Sequence, residues 1–310
     1  MDIGVLGGLV VRVGGNSVVP SAPKPRQVLA VLALRVGQLV PVSVLVEELW
    51  GSAPPRSART TLQTYVLQLR ELIAGALESE AGGSSPSGAG PEPGSGSGMG
   101  RRRAKDVLVT VPGGYVLAAG AGAAVGTGAG AGGSAGESAG VGAVCDVGVF
   151  EEWAGLGYRA LDGGDFAGAA GWLRRALGLW SGAAFADVAR GPVLEVEAKR
   201  LEESRLCALD RRIEADLRLG RHRELLAELT VLVNGYRTHE SLHAQFMLAL
   251  HRSGRRGEAL DVYERLRARL VGDLGLEPSV RLRRLQRSIL MAGREGAVVG
   301  RGGGSLAAAG

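Results

Sequence analysis

Arg56, Arg59, Thr60, Thr61, Gln63, Thr64, Gln68 and Arg70 crowd into residues 54–73, a stretch with one acidic side chain, Glu71. These residue types suit nucleic acid. Arginine forks onto guanine or phosphate, glutamine onto adenine, and threonine meets either a polar base edge or a thymine methyl. Between them Leu62, Tyr65, Val66, Leu69, Leu72 and Ile73 recur at helical spacing. That pattern predicts a helix over 55–73 with one face on a core and the polar face free. Pro54 and Pro55 suit its first turn, where a missing N–H costs nothing. An ordinary surface helix with a solvated polar face fits the same pattern, so the flanking elements have to decide.

Upstream, Ile3-Gly4-Val5-Leu6 and Leu9-Val10-Val11-Arg12-Val13 read as strands, and Ser17-Val18-Val19-Pro20 as a return after a Gly14-Gly15-Asn16 turn. A small antiparallel sheet is expected there. Pro23-Lys24-Pro25 opens a helix that Gly37 stops. A short helix over 44–50 follows, with Ser43 as N-cap, Glu47 as its capping-box partner and Gly51 closing it. Downstream, Val107–Val111 and Tyr115–Leu117 flank Pro112-Gly113-Gly114, a hairpin signal. Sheet, two helices, a long helix and a hairpin make a winged helix-turn-helix over 1–117. In that fold Lys24, Arg26 and the wing would hold phosphates. Arg101, Arg102, Arg103 and Lys105, just before the hairpin, are either backbone contacts or a solvated charge run.

Residues 79–100 are Gly/Ser/Pro-rich and read as a flexible insertion, 118–142 as a Gly/Ala linker, and 293–310 as a disordered tail. Residues 143–292 change character, to helices near 150–161, 166–177, 193–219, 222–233, 240–252, 256–271 and 278–291. Glycine-led segments at Gly164, Gly220 and Gly254 echo one another, and the last two lie 34 residues apart. That is the tetratricopeptide period, so an all-α helical-hairpin array is expected. The fold class is thus mainly α with a small β part.

The 310 residues, 45% hydrophobic with net charge +5, allow two cores and a nucleic-acid partner. Only Lys24, Lys105 and Lys199 are lysines among the 36 basic residues, so part of the arginine signal is compositional. Cys145 and Cys207 lack a CxxC context, which fits a cytoplasmic protein. No apolar run approaches about 18 residues, and no membrane span is expected. His239 and His243 sit at i,i+4 spacing, but no third ligand or HExxH pattern accompanies them, so no metal is expected. Gly300–Ser305 lacks the lysine of a P-loop. With no nucleophile or acid–base set either, neither an enzyme nor a cofactor is expected. A helical scaffold or signalling adaptor is the alternative to a DNA-binding regulator.

As a set, Gly4-Val5-Leu6-Gly7, Lys24-Pro25-Arg26-Gln27, Leu45-Val46-Glu47-Glu48-Leu49-Trp50-Gly51, Leu62-Gln63 with Tyr65-Val66, and Pro112-Gly113-Gly114-Tyr115 resemble an OmpR-type winged helix. Phe150-Glu151, Leu179-Trp180-Ser181-Gly182, Leu219-Gly220-Arg221-His222 and Leu276-Glu277-Pro278-Ser279 resemble a bacterial transcriptional activator domain. Together, in this order, they resemble the Streptomyces antibiotic regulatory proteins, a family of transcriptional activators. The resemblance implies double-stranded promoter DNA, RNA polymerase holoenzyme and a second copy of the chain as partners. It also implies control of a secondary-metabolite gene cluster, and it brings Tyr115 among the DNA-binding candidates. No receiver aspartate is found, so phosphorylation of that kind is not implied.

Overall fold

The computed structural model describes residues 1–82, 103–118 and 144–299. They group into two compact units. The first joins Met1–Ala154 to Arg175–Leu206, and the second joins Gly155–Arg174 to the residues from Cys207 onward. Compactness therefore does not follow the division at 118–142 that composition suggests.

In the first unit, β1 (Asp2–Gly4) pairs antiparallel with β2 (Val10–Val13), Ile3 opposite Val11, and β3 (Asn16–Ser17) continues the sheet. On the other edge β1 takes a parallel partner from far along the chain, with Ile3 opposite Cys145. The sheet is therefore mixed rather than wholly antiparallel. Residues 5–9 do not extend the strand. The Val5, Leu6 and Gly7 carbonyls instead accept from the N–H groups of Phe185, Ser181 and Ala186 at 3.0, 2.9 and 2.8 Å. Asp146 Oδ2 accepts from the Val5 and Leu6 N–H groups at 2.8 and 2.9 Å, and Asp187 Oδ1 from that of Leu9 at 2.7 Å. Val5, Leu6 and Leu9 are buried.

The rest of this unit is a winged helix. α1 (Pro23–Leu34), α2 (Val42–Trp50) and α3 (Ala58–Gly82) enclose Leu29, Leu32, Leu45, Leu62, Leu69 and Ile73, all fully buried. A four-residue α4 (Ala104–Val107) leads into the hairpin β5 (Leu108–Val111) and β6 (Gly114–Leu117). β6 also pairs with β4 (Val40–Pro41), giving the order β4-β6-β5. The wing stands where the sequence predicts it, with Pro112-Gly113 at its tip. Gly114 has a local reason to be glycine, because a Cβ there would collide with the Val40 carbonyl.

Three local expectations need correction. α2 starts at Val42 with Pro41 in the N-cap position, so Ser43 lies inside the first turn and caps nothing. α3 starts at Ala58, three residues after Pro55, whose carbonyl takes the Ala58 N–H at 3.0 Å. It then runs on to Gly82, because Ala76 continues the buried stripe beyond Ile73. That stripe is Leu62, Val66, Leu69, Ile73 and Ala76. Tyr65 is half-buried and Leu72 is exposed, since alternating steps of three and four keep a narrower seam than the full apolar set.

α5 (Asp146–Asp162), α6 (Phe166–Leu177) and α7 (Pro192–Arg218) supply residues to both units. The second unit continues with α8 (Leu226–Gly235), α9 (Glu240–Arg252), α10 (Arg256–Arg269) and α11 (Val280–Val299). The sequence echo has a conformational cause. Gly164, Gly220 and Gly254 follow α5, α7 and α9 with φ of +79°, +82° and +84°. At each site the glycine N–H reaches the carbonyl three residues back and the next N–H the carbonyl five back, as in Asp165 to Ala160, Arg221 to Asp216 and Arg255 to Leu250. That is a Schellman ending, and its left-handed residue favours glycine. α8 begins at Leu226 rather than near 222, and the α11 backbone stays helical past 292 to Val299.

Polar groups inside this unit are concentrated on Asp216. It is 2% exposed and accepts from the guanidinium groups of Arg174, Arg212 and Arg221. Arg212 also pairs with Glu228. His239 and His243 have structural roles. His239 Nδ1 accepts from the Leu242 N–H at the start of α9, and buried His243 bonds the His239 carbonyl through Nδ1 at 3.1 Å. A carbonyl can only accept, so His243 Nδ1 carries the proton.

Candidate nucleic-acid interface

The polar face of α3 borders two clefts that share Val42 and Arg59. The first, of 290 Å³, lies between α3 and the wing, with Arg59, Leu62 and Gln63 on one wall and Thr110, Val111, Gly113, Gly114 and Tyr115 on the other. The second, of 310 Å³, lies between α2 and the turn before α3, lined by Val42, Ser43, Val46, Pro54, Pro55, Arg56, Ala58 and Arg59. Arg59 lines both. Arg56, Arg59, Thr60, Gln63, Thr64 and Gln68 are exposed, while Thr61 is half-buried. Thr64 Oγ1 donates to the Thr60 carbonyl at 3.2 Å, which leaves its oxygen free to accept.

Arg70 plays a different part from the one its sequence position suggests. Its Nε and Nη2 donate to the Leu108 carbonyl at 3.1 and 2.8 Å, and Nη2 also reaches Thr110 Oγ1 at 2.7 Å. It braces β5 of the wing against α3. Arg103 and Lys105 are exposed at α4, where Asp106 Oδ2 accepts the Arg103 N–H at 2.9 Å. Arg101 and Arg102 lie outside the described residues.

Three further candidates serve the fold. Lys24 Nζ donates to the Leu49 carbonyl at 2.6 Å and to Gln27 Oε1 at 3.4 Å, filling an open carbonyl at the C-terminal end of α2. Arg26 donates to the Pro20 and Asp187 carbonyls at 3.1 and 3.2 Å and pairs with the Asp187 carboxylate. Tyr115 is 6% exposed, because β6 is covered on both faces.

The residue that sequence reasoning missed is Glu48. It is 2% exposed, yet its carboxylate accepts from the N–H groups of Gly191, Val193 and Leu194 at 2.6, 2.8 and 3.0 Å, and from Gln27 Nε2 at 2.8 Å. It caps the N-terminus of α7, where the helix presents unpaired N–H groups and positive potential. The signal was available. Glu48 shares a helical face with Leu45 and Leu49, as an acid at a core position.

Comparison with known proteins places this architecture. The regulatory protein DnrI of Streptomyces peucetius is 45% identical over 292 residues, which cover 94% of this chain and 93% of DnrI. The chain belongs to the Streptomyces antibiotic regulatory protein family. Its members are transcriptional regulators rather than enzymes. The bacterial transcriptional activator domain matches residues 145–290. AfsR of Streptomyces coelicolor is 32% identical over 293 residues, but this chain spans only 24% of it. A solved structure of Mycobacterium tuberculosis EmbR, in complex with a low-affinity phosphopeptide, superposes with a TM-score of 0.73 at 29% identity. The match covers 94% of this family member and 65% of that chain. EmbR has the same winged helix followed by a helical domain. Among the described residues of this regulator, no helix is long and apolar enough to cross a membrane, and no cluster of side chains could hold a metal ion.

Proposed function

We propose that this transcriptional activator binds promoter DNA directly, as two copies, and switches on a secondary-metabolite gene cluster by recruiting RNA polymerase holoenzyme through its helical half. The carrying observation is Arg59, exposed where the α2 cleft and the wing cleft meet. α3 enters the major groove with Arg56, Arg59, Thr60, Gln63, Thr64 and Gln68 toward base edges, the docking mode of a recognition helix. Arg103 and Lys105 take backbone phosphates, which position the protein without reading sequence. Arg70 holds the wing in place. The likeness to DnrI supports the cluster role. The site of action is the cytoplasm, on the nucleoid.

The test is protection of the native cluster's promoter by the purified full chain, alongside Arg59→Ala. A protected, repeated half-site that the variant loses supports the reading. A normally folded variant with the same protection and affinity sinks it.

A further inference from the structure

The first part of α11, in the second unit, carries a cationic face that the winged helix does not use. Arg281, Arg283, Arg284 and Arg287 are all exposed, and residues 280–292 contain no acidic side chain. At about 100° per residue, Arg283, Arg284 and Arg287 share an arc of about 100°, with Arg281 about 60° beyond. Leu282 and Ile289, each 1% exposed, occupy the opposite side and fix which face is turned outward. Three acids of this unit are already engaged. Glu277, whose carboxyl also feels the charge of Arg283, is held by Arg267 at 2.9 Å through both oxygens. Glu240 accepts the Ser279 N–H where α11 begins, and Glu258 is paired with Arg255.

We propose that this face is a second, sequence-independent binding surface for the phosphate backbone of duplex DNA. The inference rests on the reading of the chain as a DNA-binding regulator, but on a different part of the molecule. Charge complementarity selects the partner. From residue 281 to 287 the helix rises about 9 Å, so the four guanidinium groups give about one positive charge per 2.3 Å of axis. Duplex DNA carries one negative charge per about 1.7 Å. All four cations are arginines, whose planar fork matches two phosphate oxygens at once, where lysine offers a point charge. An acidic protein surface also attracts such a face, but seldom sustains that charge density over a full helical turn and a half.

The test uses the full chain. Affinities for a promoter duplex and an unrelated duplex are measured across salt for the wild type, for Arg59→Ala and for a variant with all four arginines changed to glutamine. Glutamine keeps helix propensity, and circular dichroism checks the fold. Each lost phosphate contact makes the decline in affinity between about 50 and 200 mM salt about 3.5-fold shallower. The expected result is a shallower salt slope for the quadruple glutamine variant on both duplexes, with the ratio between them unchanged. Lysine at the same four positions restores the slope. Arg59→Ala does the reverse, lowering the ratio. A quadruple glutamine variant with the wild-type slope overturns the proposal even if promoter recognition stands. Wild-type binding with no preference between duplexes, but with the slope change, keeps the proposal and removes the recognition role of α3.

Discussion

Replacing Glu48 tests how the winged helix is held to the start of α7. Glu48→Ala removes the acceptor for three main-chain N–H groups and one of the two acceptors of Gln27 Nε2, which keeps the Glu48 carbonyl. Each donor left inside the fold costs about 1 kcal/mol or more, and the favourable charge at the α7 N-terminus is lost as well. The sum is about 3–5 kcal/mol, a large share of a typical stability of about 5–15 kcal/mol. Glu48→Gln keeps one acceptor oxygen but turns its NH₂ toward donors, and should lose about half as much. The assay is urea unfolding followed by tryptophan fluorescence, which favours the first unit because Trp50, Trp153 and Trp180 belong to it. The alanine variant's midpoint should fall by about 1–2 M at constant slope. Gly191→Ala should act in the same direction, since its Cβ would strike the Glu48 carbonyl. A Glu48→Ala midpoint within about 0.3 M of wild type would refute the reasoning.

Arg59→Ala should cost about 1–3 kcal/mol of specific DNA affinity, read by titration against an unrelated duplex. Arg70→Ala should loosen the wing, with faster proteolysis between 108 and 117 and weaker binding to all sequences alike. Asp216→Ala should destabilise the second unit by about 3–5 kcal/mol, because it removes the buried carboxylate that Arg174, Arg212 and Arg221 share, leaving Arg212 only Glu228; an unchanged thermal transition would count against this. Burial, followed by the positive charges of Arg269 and Arg265 and by His239, holds His243 below its ordinary pKa despite the His239 carbonyl. The unfolded chain therefore takes up that proton first. Stability should be full above about pH 6.5 and decline as pH falls toward the folded value. His243→Leu should show a flatter profile between about pH 7 and 5.

Local pattern carried much of the architecture. The wing was readable from Pro112-Gly113 between two β-forming runs, and the helical turns from glycine-led echoes that end helices in the left-handed conformation. What was not readable depends on partners far away in sequence. Lys24 looks like a surface cation until the C-terminal end of α2 is found beside it. Arg26 looks free until Asp187 arrives, and Tyr115 looks available until both faces of β6 are covered. Asp146 seems an ordinary first-turn acid, yet it holds residues at the other end of the first unit. Burial pushes its carboxyl up, against the pull of the Leu6 and Val5 N–H groups. Helical periodicity did point to the correct polar face of α3. It could not separate Arg59, which borders open clefts, from Arg70, which is spent on the wing.

The strap at residues 5–9 also sets a timetable. Its side-chain partners are Asp146, 141 residues after Val5, and Asp187, 178 residues after Leu9. On a ribosome adding about 5–20 residues per second, the strap therefore emerges roughly 10–35 s before its last partner. For that interval the main-chain groups of the strap lack these partners, and β1 keeps one edge open. The strap itself cannot settle as an early, local piece of the nascent chain. Synthesis must pass residue 187 before its main-chain groups meet all of these partners.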